Sequence, residues 1–576
     1  MNSGPVASAT INDSTLAAAG SQSYSAREGH ILAAVCGRPR IGAIAEAPDP
    51  ARKVLAAYRK FGSHIVDHIH GSFALVVIDS REGTTFLATD RLGIQPLYYT
   101  IDGAAITFAS RADSLAAHPG STRELDPQAL FDYLYFHCVP APRAIHRNQQ
   151  KLLPAQCLTF RAGQVRTQFY WALHYQPSAA GFPELRDRFL SVLRESVQRA
   201  SDDGSTGAFL SGGTDSSTVS GLLAQLTDKP PRTYSIGFEA SGYDEIEYAR
   251  IASRHFGTEA HEYYVTPQDV VDAIPLIATA YDEPFGNASA VPTYYCARNA
   301  HADGTAALLA GDGGDELFAG NARYARQLMF EQYLALPAML RKGLLEPLAF
   351  GVPGLQRVAP VRKLRSYIEQ ALVPLPDRLE SYNFFHRTLP AEILAPDFLQ
   401  SVDTSLPLAG LREVYERTSS PNPLYSMLHL DLKITLADND LRKVTRMCEL
   451  AGVEVRYPLL DEAVVEFSGQ LPPGLLLRRL KLRHFFKKAL ADFLPPEILN
   501  KSKHGFGLPF GVWLLEYTPL RELAYDSLET LKGRGYLQAR YIDKLRHAHQ
   551  TDDAAYYGVM IWVLMILEHW FQAHGH

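Results

Sequence analysis

The sequence predicts two α/β domains in tandem: a β-sandwich with helices, then a parallel sheet that passes into a largely helical region. Apolar runs separated by turn residues recur in pairs over residues 31–170. Strands alternate with helices between residues 185 and 311, the pattern of a parallel sheet. The chain has 576 residues, more than one core supports.

Residues 1–30 are rich in Ser, Ala and Gly and lack the basic start and apolar run of a signal peptide; they read as a disordered lead-in. The first domain covers 31–174. "ILAAV" (31–35) reads as a strand closed by the Gly37-Arg38-Pro39 turn, and 51–61 as a helix. Three hairpins follow: "GSFALVVIDSREGTTFLATD", "PLYYT" with "AITFAS" around Asp102-Gly103, and "QCLTF" with "QVRTQFYW". A helix is predicted at 128–136. "YQPSAAGFPE" (175–184) reads as a linker. The second domain, 183–576, opens with an amphipathic helix (185–200). Strands at 207–210, 233–238 and 306–311 and a helix at 245–256 follow. The late apolar run "YYGVMIWVLMILEHWF" is about 16 residues, short of the roughly 20 a membrane span needs, so it reads as a core helix.

Composition excludes several classes. A net charge of −6 gives no basic footprint for nucleic acid. Cys36, Cys138, Cys157, Cys296 and Cys448 are scattered, with no C-x-x-C pair, so no zinc or dithiol signature exists and a reducing cytoplasm is the expected compartment.

Two glycine loops carry the chemistry. In "GAFLSGGTDSSTVSGLLAQL" a strand enters Ser211-Gly212-Gly213-Thr214-Asp215-Ser216-Ser217 and leaves as a helix. Glycines permit close backbone approach, and free N–H groups at a helix start favour phosphate. Ser211, Ser216 and Ser217 add hydroxyls. The spacing is neither G-x-x-x-x-G-K nor G-x-G-x-x-G. Asp215 would repel phosphate unless a cation bridges them, which points to Mg²⁺. "LLAGDGGDELFAG" (308–320) repeats the design with Asp312, Asp315 and Glu316. Loops at the C-ends of parallel strands face one crevice, where Asp215 and Asp315 would share the metal.

These residues resemble the asparagine synthetase family. "SGGTDSS", "EPFGNASAVPTYY" (283–295), "GDGGDELFAGNARY", "VEVRYPLLD" (453–461) and "KSKHGFGLPFGVW" (501–513) are similar to its synthetase half; "GSFALVVID" and "TDRLGIQPLYY" are similar to its glutaminase half. The resemblance implies an Ntn-hydrolase-like sandwich ahead of an adenine-nucleotide α-hydrolase-like sheet. It implies that ATP adenylates a carboxylate, releasing pyrophosphate, and that a nitrogen nucleophile displaces AMP. Ser211, Gly212, Gly213, Asp215, Ser216 and Ser217 would hold phosphates, with Gly313 and Gly314 in the second loop. Leu210, Ile236 and Gly311 would line the nucleoside, and Asp312 would sit beside the reacting carboxylate. Lys443, Arg446, Lys481, Arg483 and Lys503 are candidate cations, with Lys443 and Arg483 favoured by motif position; His504 and Glu454 are weaker catalytic candidates.

The chain departs from the family pattern. Position 2 is Asn, where the family's glutaminase needs a Cys whose free α-amine acts as base. The family's Asn-Gly-Glu stretch is not visible. Asn321 stands for the usual Tyr, Thr445 for Asp and Arg483 for Lys. Cys36, the one Cys-Gly pair, lacks a free amine and reads as a buried apolar residue. The sequence therefore points to an AMP-forming amide ligase with an inactive glutaminase-like domain. Family members of that build include lasso-peptide macrolactam cyclases and β-lactam synthetases. The cyclase version takes a peptide carboxylate, with a leader peptidase as partner, no membrane or nucleic acid, and room for a homodimer. Its rivals are an asparagine synthetase fed by ammonia or glutamine, and a non-catalytic scaffold.

Overall fold

The computed structural model describes residues 7–10, 13–14, 23–42, 49–201, 204–240, 242–350, 359–418, 420–501 and 507–576. The first domain layers two antiparallel sheets. One has six strands, in the order Gln164–Phe169, Gln156–Arg161, Thr84–Thr89, Phe73–Asp79, Ile31–Gly37 and Ser23–Glu28. The other joins Gln149–Lys151, Tyr98–Asp102, Ala105–Ala109, Ala7–Thr10 and Asp13–Ser14. Alternation sorts the side chains. Leu32, Val76, Leu87 and Phe160 meet Ile106 and Phe108 between the sheets. Ala33, Val35, Leu75 and Val77 face the other way, onto Val54 and Leu55 of helix Pro50–Phe61.

The lead-in expected over residues 1–30 is corrected in part. Ser23–Glu28 pairs with Ile31 to Cys36 of the neighbouring strand, and Ala7–Thr10 pairs with Ala105–Ala109. Only Tyr24 and Ala26 of the Ser23–Glu28 strand pack inward, so ladder hydrogen bonds rather than an apolar run make this edge. The linker is also shorter than its composition suggests. Helix Phe182–Ala200 begins inside it, with Pro183 in its first turn, where a missing N–H costs nothing.

The second domain centres on five parallel strands in the order Glu259–Val265, Arg232–Phe238, Thr206–Phe209, Ala307–Leu309 and Glu454–Arg456. The two outer strands had no sequence counterpart. The direction of winding reverses between Thr206–Phe209 and Ala307–Leu309, where Ala208 stands beside Leu309. This is the switch point at which open parallel sheets bind ligands. Helices surround the sheet. Helix Ala554–His574 has the length and apolarity of a membrane span, yet its stretch from Met560 to Leu567 is 0–2% exposed inside this chain. It packs on helices Pro267–Ala280, Phe510–Glu516, Thr518–Lys532 and Ala539–Thr551.

Candidate active site

Both glycine loops leave the switch-point strands and touch. A Cβ on Gly311 would come 2.8 Å from the Ser216 nitrogen, and one on Gly314 would come 2.4 Å from Asp215 Oδ1. Their glycines thus make room for each other's loop and for the Asp215 carboxylate. A cleft of about 430 Å³ opens above them. Leu210, Ser211, Gly213, Asp215, Ser216 and Ile236 line it from one side; Gly311, Asp312, Gly313, Gly314 and Asp315 line it from the other. Lys443 and Arg483 close it.

Gly212 and Ser217 stand outside this lining. Gly212 has φ +68, and a Cβ there would strike Tyr248 and Ala249 at 2.5 Å, so it seats the loop on helix Ile246–Phe256. Ser217 is wholly buried beneath the loop. Within the loop the Ser211 amide donates to Ser216 Oγ (3.2 Å), and the two hydroxyls lie 3.0 Å apart.

The two expected metal ligands converge. Arg483 donates to both oxygens of Asp215, each at 2.5 Å, and also to Asp315 and to Thr214. Burial alone would lower the guanidinium's pKa, but Asp215 and Asp315 raise it. Two carboxylates within reach of one cation, with glycines leaving space around both, suit a divalent ion carrying phosphate. The planar guanidinium fork of Arg483 grips two acids at once.

A second charge group lies across the cleft. Lys443 Nζ donates to Asp440 Oδ1 (2.9 Å). Burial opposes its charge, while Asp440 and Asp312 raise its pKa. Burial lifts the Asp312 carboxyl to about 6 against the opposing pull of Lys443, with Asp440 adding to the lift. Asp440 ends a ten-residue π-helical stretch, Asp431–Asp440, whose wide turns lead into helix Leu441–Ala451.

Sequence reasoning missed four charged residues of the lining: Glu245, Asp440, Lys487 and Lys501. Asp440 precedes Lys443 by three residues and Lys487 follows Arg483 by four, spacings that share a helix face. Lys501 Nζ donates to Glu245 Oε2 at 3.0 Å and sits 4.5 Å from the Tyr248 ring centroid. Other candidates lie elsewhere. Lys481 is exposed, bridging to Arg478 by backbone. Arg446 reaches Glu449 (2.8 Å) and Asp282 (3.6 Å). Glu454 pairs with Arg38 (3.0 Å) and Arg456 (2.8 Å). Asn2, Lys503 and His504 lie outside the described residues. Asn321 caps helix Ala322–Leu334, accepting from the Arg323 amide at 3.0 Å, and Thr445 Oγ1 lies 2.8 Å from the Tyr457 hydroxyl.

Residues 188–572 match the Asparagine synthase family model, and residues 50–171 match that of a glutamine amidotransferase domain. The chain belongs to the asparagine synthase family. Asparagine synthetase [glutamine-hydrolyzing] 1 of Bacillus subtilis is 26% identical over 521 residues, which is 90% of this chain and 80% of the relative. A putative asparagine synthetase [glutamine-hydrolyzing] 2 of Methanocaldococcus jannaschii is 34% identical over 50% of this chain and 57% of its own length. Amidase chry2 of Gibberella zeae is 23% identical over 80% and 73%. As a member of this family the chain is a carbon–nitrogen ligase that converts ATP to AMP and pyrophosphate.

The glutaminase-like half holds the one Cys-Gly pair of the chain. Cys36 lies within strand Ile31–Gly37, paired with Ala74 and Ser23 on either side. Its Sγ is 3.7 Å from the Ala74 carbonyl and 3.9 Å from Gln95 Oε1, and burial pushes the thiol up to about 11. A second cavity of about 560 Å³ separates the domains beside it. Its charges are paired across the interface: Arg40 with Asp461 (3.1 Å) and Arg91 with Glu462 (2.8 Å).

Proposed function

We propose that this ligase joins a peptide carboxylate to an amine of the same peptide, as a macrolactam cyclase, without hydrolysing glutamine. The observation that carries the glutamine part is the placement of Cys36. It has no α-amine to act as base, and its thiol stays protonated at neutral pH. On this reading the nitrogen comes from an amine within the substrate, with free ammonia as the rival source.

ATP and Mg²⁺ supply leaving-group activation of the carboxylate when bound. Asp215 and Asp315 would hold the metal, and Arg483 would turn part of its charge to the phosphates. Backbone N–H groups of Ser211 to Ser216 would orient them. Asp312, titrating near 6, is ionised at neutral pH and sits where it could take the proton of an attacking amine. Lys443, kept charged by Asp440, would stabilise negative charge as the amine adds.

The peptide substrate rests on the resemblance to ligases without a working glutaminase; Thr445, bonded to Tyr457, lines the interdomain cavity and not the cleft. The free cysteines suit a reducing compartment such as the cytoplasm. A leader peptidase would act upstream to free the amine. ATP–pyrophosphate exchange separates the readings. We expect exchange with a peptide bearing a free N-terminus and an internal Asp or Glu; exchange driven by aspartate alone would return the chain to asparagine synthesis. No exchange with either would leave a scaffold.

A further inference from the structure

A second cluster of buried charge lies outside the cleft. Asp282 and Glu283 follow helix Pro267–Ala280 and are 0% and 4% exposed. The sandwich domain supplies much of what holds them. Lys151 Nζ donates to Glu283 Oε2 at 2.8 Å, as does the Tyr98 hydroxyl at 2.7 Å. The Ile145 amide donates to Glu283 Oε1 at 2.9 Å, and the Ala112 amide to Asp282 Oδ2 at 2.8 Å. On the far side, Arg442 donates to Asp282 Oδ1 at 3.0 Å and Arg446 approaches it at 3.6 Å. Burial would raise the Asp282 pKa, but Arg442, Arg111 and Arg446 together hold it far below the usual carboxylate range.

Arg442 and Arg446 are one turn apart on helix Leu441–Ala451 and share the face toward Asp282. Lys443, about 100° further round, faces the cleft. Fixing the two arginines therefore fixes the rotation of the helix and the aim of Lys443. Arg442 already lies 3.7 Å from Glu283, whose charge Lys151 balances. Without Lys151, Glu283 would draw Arg442 from Asp282.

We infer that the glutaminase-like domain positions Lys443 through the Asp282–Glu283 pair, with Lys151 and Tyr98 as positioning residues for the ligase reaction. The kinetic part rests on the proposed role of Lys443. The positional part does not, and it is read separately.

The test compares full-length wild type with Lys151→Met, Lys151→Arg and the double variant K151M/E283Q. Three readouts are taken: amide hydrogen exchange, Mg·ATP affinity by calorimetry, and steady-state amide formation with the peptide probe above, followed as AMP release. For Lys151→Met we expect exchange in 441–451 to rise about threefold or more while 214–226 keeps its protection. Mg·ATP affinity should stay within about twofold, and kcat should fall about tenfold at unchanged KM for ATP. Lys151→Arg should restore most of kcat. The double variant, whose neutral Gln side chain at position 283 no longer draws Arg442 from Asp282, should regain both stability and most of kcat; if Lys151→Met fails to fold, a double variant that folds but keeps a low kcat overturns the inference. Unchanged protection of 441–451, or equal loss across both domains, would overturn the inference. A wild type inactive with the probe would sink the macrolactam reading alone, since exchange protection and Mg·ATP binding need no acceptor.

Discussion

At the scale of the residue, Asp312 combines a cost with a use. Its folded pKa of about 6 exceeds the ordinary 3.8, so the folded chain binds more protons between those values. Stability therefore falls as pH rises through that window, by at most about 3 kcal/mol. Asp312→Asn should raise Tm, by little at pH 4 and by most at pH 7 and above, while turnover is lost. Lys443 keeps Asp440 in that variant, so no buried cation is stranded. A Tm gain independent of pH would refute this account. In the wild type, turnover should decline below about pH 6 as the carboxyl protonates. Arg483 shows the limit of reading single residues. Motif position selected it, but its simultaneous grip on Asp215 and Asp315 depends on loops 100 residues apart in the chain.

Elements bring their own test. Helix Ala554–His574 meets helix Phe510–Glu516 at Gly511 and Gly558, and a Cβ on Gly511 would lie 2.0 Å from the Ala554 carbonyl. Gly511→Ala should cost about 1–3 kcal/mol of stability and lower Tm without changing KM for ATP. An unchanged Tm would mean that the helices separate freely. Elements with local signals were legible: the three hairpins carry turn residues between apolar runs, and both cleft loops follow apolar strands. Glu259–Val265 and Glu454–Arg456 were not, because the first is half polar and the second only three residues long. Ser23–Glu28 is held by a neighbour's ladder rather than by its own side chains, which composition does not record. The cleft lining was read well where glycine motifs marked it. Asp440 and Lys487 were missed although helical spacing ties each to a residue already chosen.

For the whole molecule, the decisive question is what the two halves exchange. Adding glutamine should release no glutamate, and Cys36→Ala should leave amide formation unchanged; glutaminase activity lost in that variant would reverse the assignment of the first domain. The sheet order adds a consequence for how the chain comes to be active. Thr206–Phe209 and Ala307–Leu309 are neighbours in the sheet but separated by about a hundred residues of chain, and Glu454–Arg456 completes the edge later still. The nucleotide cleft therefore cannot exist on a partly synthesised or partly refolded chain. Recovery of ATP binding after dilution from denaturant should lag behind recovery of helical content, which makes the nucleotide a reporter of the last step of folding.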